Sequence, residues 1–202
     1  MAAAVPRLGV FGGSFDPPHV GPLIIASEAC SSLGLERVLF VPAASPPHKD
    51  TEVHTAAEVR LTMTSIAVGD DLRFVESGLE VERGLVYTRD TLAAARERFP
   101  GRELVFIMGS DSLLQFESWE DPQGILELAT LAVAPRPGDR PDEVAAAAAR
   151  IGGDRVTVLD APQVDVSSTL VRERVAAHRP IRYLVPLSVE EYILERGLYR
   201  RP

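Results

Sequence analysis

The sequence predicts an α/β fold: an open parallel sheet with helices on both faces. Three observations carry this. Apolar runs too short for helices recur at residues 8–11, 37–42 and 103–108, as buried strands do. Helical patterns lie between them, and a strand–helix–strand order closes most readily as a right-handed parallel crossover. A hydrophobic content of 46% in 202 residues is enough for one core, so residues 1–202 read as a single domain, with 160–202 a C-terminal helical portion packed on it.

The elements follow in order. Strand 8–11 ends at Gly12-Gly13, and the proline-rich Ser14-Phe15-Asp16-Pro17-Pro18 that follows cannot be regular structure. A helix is expected over 23–33, with Pro22 in its first turn and Gly34 past its end. The second strand, 37–42, leads into a loop at 43–53, where Pro46 and Pro47 stiffen a segment presenting His48 and Lys49. Thr55 and Glu58 have capping-box spacing, placing a helix over 56–68. Residues 72–76 and 79–82 read as short strands around Gly78. Thr88 reads as the N-cap of a helix ending near Phe99. Strand 103–108 ends in Gly109-Ser110-Asp111. Trp119 sits in a polar loop. A strand at 130–134 leads to Arg136, a helix covers 142–151, and the last strand is 155–159. Ser167, Ser168 and Thr169 open a helix with Arg172 one turn inside. Ser188 and Glu191 have capping-box spacing at the start of a closing helix.

Composition excludes several classes. The net charge of −8 argues against a general nucleic-acid binder. No run of eighteen apolar residues predicts a transmembrane helix, and the start lacks a signal-peptide pattern. The lone Cys30 leaves no disulfide within one chain, and a cytoplasmic location fits. Ser110 and Ser112 lie outside a G-x-S-x-G elbow, against a serine hydrolase. Among 21 basic residues only Lys49 is a lysine, which invites a functional reading of that position.

The remaining chemistry is that of anion binding. Gly12 and Gly13 let a backbone approach a ligand, and the following helix offers free N–H groups to a phosphate. His48 and Lys49 form a candidate anion clamp. The hydroxyls of Ser167, Ser168 and Thr169, the helix N–H groups and the Arg172 guanidinium compose a second phosphate site. Arg136 at a strand end is a third candidate contact. If the first and fourth strands are neighbours, Gly109 and Asp111 face the glycine turn across a crevice at the carboxyl ends of the sheet, where Asp111 can accept from ribose hydroxyls. Thr88, at a helix start, can offer N–H groups to a carboxylate, and Trp119 offers a face for a pyridine ring.

Gly12-Gly13-Ser14-Phe15-Asp16-Pro17, followed by His19 and Gly21, resembles the signature of the nucleotidyltransferase superfamily that carries a (T/H)-x-G-H motif. Pro46-Pro47-His48-Lys49, Tyr87-Thr88 with Thr91-Leu92, Gly109 with Asp111, Trp119, and Ser167-Ser168-Thr169 with Arg172 resemble, in the same order, the motifs of bacterial nicotinate-nucleotide adenylyltransferases. There is one departure: the motif's second histidine is Pro22 here, which has no donor for a phosphate oxygen. The resemblance implies a Rossmann-like nucleotidyltransferase fold and transfer of AMP from ATP to nicotinate mononucleotide, with Mg²⁺ on the pyrophosphate oxygens. It implies ATP contacts from Gly12, Gly13, Ser14, Phe15, His19, Gly109, Asp111, Arg136, Ser167, Ser168, Thr169 and Arg172. It implies mononucleotide contacts from Ser14, His48, Lys49, Thr88, Asp111 and Trp119, with His19, Lys49 and Arg172 catalytic and no protein metal cage. Its expected partners are these two small molecules, without nucleic acid or membrane; a homo-oligomer is compatible with it. The alternatives are another nucleotidyltransferase such as a pantetheine-phosphate adenylyltransferase, a nucleotide sensor with reduced catalysis, and a domain like that of a class I aminoacyl-tRNA synthetase, which the short acidic chain disfavours.

Overall fold

A computed structural model describes residues 5–45, 55–69 and 71–200. Six parallel strands form one sheet: β1 (Arg7–Gly13), β2 (Leu35–Pro42), β3 (Phe74–Glu76), β4 (Glu103–Gly109), β5 (Ala129–Ala134) and β6 (Val156–Val158). Their order is β3-β2-β1-β4-β5-β6. The order reverses between β1 and β4, which pair in register from Arg7↔Glu103 to Phe11↔Ile107. A crevice therefore opens beyond their carboxyl ends.

Between the strands run α1 (Val20–Leu33), α2 (Ala57–Val68), α3 (Leu79–Arg83), α4 (Thr88–Arg98), α5 (Ser110–Leu114), α6 (Pro122–Leu128) and α7 (Pro141–Ile151), and α8 (Ser168–Ala176) and α9 (Leu187–Glu195) follow β6. Alternation along the strands divides the core. Leu8, Val10, Phe106 and Met108 pack with Leu92 of α4, Ile125 of α6 and Val144 of α7. Phe11, Phe40, Val105 and Ile107 pack with Ala26, Ala29 and Cys30 of α1 on the opposite face. A third cluster joins Met63 of α2 to Val171 and Val175 of α8 and to Val189 and Ile193 of α9.

Several expected boundaries move. Residues 79–82 are not a strand but the helix α3. Leu-Glu-Val-Glu alternates like a strand, yet Gly84 closes one helical turn at φ 63, its N–H bonded to the Glu80 carbonyl. Helix α1 starts at Val20, three residues early, because His19 caps it. The cap of α2 is Ala56 rather than Thr55, and the Thr55 carbonyl instead accepts from Arg60 Nε at 3.0 Å. Thr88 is the first residue of α4, whose cap is Tyr87. The closing helix α9 is capped at Pro186, ahead of Ser188, whose hydroxyl turns to the Ile66 carbonyl at 3.5 Å.

Candidate active site

The crevice at the reversal of strand order has a volume of about 510 Å³. One wall is the end of β1 and the turn after it, where Gly12, Gly13, Ser14, Phe15 and His19 line the cavity. Gly109, Asp111 and Arg136, after β4 and β5, form a second. Ser167, Ser168, Thr169 and Arg172, at the start of α8, form a third, and Trp119 closes one side. Residues 160 positions apart in the chain are thus brought to one hollow by the parallel topology. Thr88 does not line it. His48 and Lys49 lie outside the described residues.

His19 has extended backbone (φ −135, ψ 178), and its Nδ1 accepts the Gly21 N–H at 3.2 Å. A ring nitrogen that accepts carries no proton, so the neutral imidazole is protonated at Nε2 and donates from there. Burial first, and then the positive charge of Arg136, lower its pKa from 6.5 to about 4, so it is neutral at physiological pH. Gly21 is required here, because a Cβ at that position would stand 2.9 Å from His19 Cε1. Pro22 also lines the crevice.

Arg172 Nη1 donates to the Asp16 carbonyl at 2.8 Å and Nη2 to Thr169 Oγ1 at 3.1 Å. The Ser167 hydroxyl caps α8 by accepting the Leu170 N–H, and Ser168 Oγ donates to the Pro17 carbonyl at 2.8 Å. The start of α8 is therefore fastened directly to the turn after β1. Across the cavity, Arg136 Nε lies 3.0 Å from Asp111 Oδ1. Gly109 leaves room for that pair, since a Cβ there would be 2.5 Å from the Asp111 carboxylate. Half-buried Trp119 packs its ring against Phe106 (6.2 Å, 72°) and Phe116 (5.6 Å, 46°), with part of it facing the crevice.

Three supporting residues lie outside the set expected from the sequence. Arg60, on α2 one turn before Met63, is 1% exposed. It donates to the carbonyls of Ser14 (2.7 Å), Ala43 (2.6 Å) and Thr55 (3.0 Å), joining the turn after β1 to both ends of the loop between β2 and α2. Glu80 is buried and accepts from Thr91 Oγ1 at 2.8 Å and from the Ala44 N–H at 3.3 Å; burial raises its pKa from 4.5 to about 7. The second threonine of the Thr88–Thr91 pair thus serves Glu80. Tyr199 donates to Asp16 Oδ1 at 2.7 Å, and burial holds its hydroxyl protonated far above the usual range.

The cytidylyltransferase-like family model matches residues 10–174. A probable nicotinate-nucleotide adenylyltransferase of Thermus thermophilus is 46% identical over 96% of this chain and 100% of its own. One of Thermomicrobium roseum is 45% identical over 96% and 92%. The chain belongs to the nicotinate-nucleotide adenylyltransferase family. The fold agrees: a Plasmodium falciparum nicotinic acid mononucleotide adenylyltransferase complexed with NaAD superposes with a TM-score of 0.79, at 17% identity and covering 96% of this chain and 97% of that one. No helix among the described residues is long and apolar enough to cross a membrane. Nucleotidyltransferases generally use a divalent metal with ATP. Among the described residues no three His, Cys, Asp or Glu side chains are grouped to hold an ion. A metal carried in by the phosphates of ATP fits that donor set, because such an ion keeps mostly phosphate and water ligands.

Proposed function

We propose that the protein transfers the adenylyl group of MgATP to nicotinate mononucleotide, giving nicotinate adenine dinucleotide and pyrophosphate. The observation that carries this is the convergence, in one cavity, of a neutral histidine donor, a helix N-terminus with three hydroxyls, a guanidinium and one aromatic face. That set suits two phosphate-bearing substrates and an aromatic ring, and it contains no nucleophile with a paired base.

A phosphate oxygen of the mononucleotide attacks the α-phosphorus of ATP in line. The new P–O bond forms as the bond from the α-phosphorus to the bridging oxygen breaks, and pyrophosphate leaves. The protein supplies position and charge. His19 Nε2–H and Arg172 face the charge that builds on the transferring and leaving groups. The turn of Gly12, Gly13 and Ser14 and the start of α8 hold the phosphates of ATP, with Asp111 toward the ribose and Arg136 toward phosphate. Trp119 takes the nicotinate ring. His48 and Lys49 are assigned to the phosphate of the mononucleotide, and Thr88 to the nicotinate carboxylate through the start of α4. Mg²⁺ is the metal we assign to ATP, and the cytoplasm the place of action.

The test is release of pyrophosphate from MgATP with nicotinate or nicotinamide mononucleotide as acceptor, run beside P22H. Release with the nicotinate form is expected, and P22H is expected to be faster because it regains a donor. Saturable ATP binding without release from either acceptor would overturn the assignment in favour of a nucleotide sensor, a reading that Pro22 permits.

A further inference from the structure

We propose that Tyr199 is a positioning residue for the turn after β1, fixing Asp16 and through it the phosphate-facing groups of residues 14–17 and Arg172. This rests on the reading of that turn as a phosphate cradle.

The turn is fastened at each successive residue. The Gly13 carbonyl accepts the Ala43 N–H at 2.9 Å, and the Ser14 carbonyl accepts from Arg60 at 2.7 Å. In a planar trans peptide the N–H points opposite to the C=O. Tying these two carbonyls to the scaffold therefore turns the N–H groups of Ser14 and Phe15 the other way, and both residues line the crevice. Pro17 and Pro18 have no N–H, so the backbone donors that residues 14–18 can offer an anion are the amides of Ser14, Phe15 and Asp16. Phe15 holds φ 46, a costly value for a bulky residue, and is kept there by the rings of Phe11 at 6.0 Å and Phe40 at 5.7 Å.

Asp16 is the next residue and is fully buried. Its carbonyl accepts from Arg172 and its carboxylate from the Tyr199 hydroxyl at 2.7 Å, across 183 residues of sequence. Tyr199 is itself anchored, packing against the cluster formed by α2, α8 and α9 with its hydroxyl 3.9 Å from Met63 Sδ. The tyrosine is one of the groups that hold Asp16 in place, and the Asp16 carbonyl sets where one arm of the Arg172 guanidinium points. No part of Tyr199 lines the crevice, so its effect on a ligand passes through those two residues.

The test titrates wild type and Y199F with inorganic tripolyphosphate and, separately, with adenosine. Tripolyphosphate affinity is expected to fall at least fivefold and adenosine affinity to stay within twofold. A merely structural role would lower the unfolding midpoint without separating the two probes, and both affinities within twofold of wild type overturn the proposal. Asp16 gives a second arm that does not depend on Y199F folding. D16N keeps an acceptor for the tyrosine and is expected within threefold of wild type for tripolyphosphate, whereas D16L, with no acceptor, is expected to fall as far as Y199F. D16N as weak as D16L overturns the proposal. Wild type that fails to bind tripolyphosphate overturns the cradle reading itself. Failure of wild type to release pyrophosphate with either mononucleotide bears on the proposed reaction instead, since these titrations need no turnover.

Discussion

At the level of single residues, Arg172 and His19 carry different burdens. Arg172 is a fixed charge held by Asp16 and Thr169. Replacing it with Ala removes a charged contact where charge develops, so turnover is expected to fall well over tenfold, read as kcat for pyrophosphate release. His19 is uncharged and held by its own helix. Its folded pKa lies below its unfolded one, so on acidification the unfolded chain takes up the proton first. Stability linked to His19 is therefore intact above pH 6.5 and is lost as pH falls from 6.5 toward about 4. Urea midpoints of wild type and H19N across that window check this, the variant losing less. Trp119 is the only tryptophan, so its emission is expected to change on addition of nicotinate mononucleotide. An unchanged spectrum at saturating ligand would remove it from the ring site.

At the level of elements, the loops are joined by polar groups inside the core. Arg60 satisfies three carbonyls from two loops while almost wholly buried. R60M is expected to lose about 3 kcal/mol of stability, measured by urea unfolding, because buried carbonyls lose their donor. Glu80 has the opposite sign to His19. Its folded pKa of about 7 exceeds the ordinary 4.5, so the folded protein keeps a proton that the unfolded chain releases. Stability linked to Glu80 is present below pH 4.5 and is lost as pH rises to about 7. E80Q is expected to flatten that part of the profile. Between pH 4.5 and 6.5 the two groups offset one another. How much of this was legible in the sequence depends on distance along the chain. The strands announced themselves by local apolar runs, and Ser167 with Arg172, or His19 with Gly21, by spacings of two to five residues. Helix α3 was misread because a five-residue amphipathic turn has the same alternation as a strand. Arg60 could not be assigned a task because its partners lie in other loops, and Asp16 looked like one more residue of a proline-rich turn.

At the level of the whole molecule, the parallel sheet gathers its loops at one end, and ligand binding is expected to stabilise the entire domain. A ligand at a hundred times its Kd adds about 2.7 kcal/mol, which for a chain of this size raises Tm by roughly 5–10 °C. MgATP is expected to give such a rise in wild type and a smaller one in R172A. Calorimetry at several ATP concentrations checks it, and an unchanged Tm at saturation would remove the crevice as the nucleotide site.

The bond between Asp16 and Tyr199 also bears on the order in which the protein is made. The turn after β1 leaves the ribosome well before Tyr199, which holds it from 183 positions further along the chain. A nascent chain can pair β1 with β2 and then with β4 as each appears, yet its first turn waits for α8, α9 and Tyr199 before all its holders are in place. Competence to bind phosphate would then follow the sheet that frames it rather than form with it.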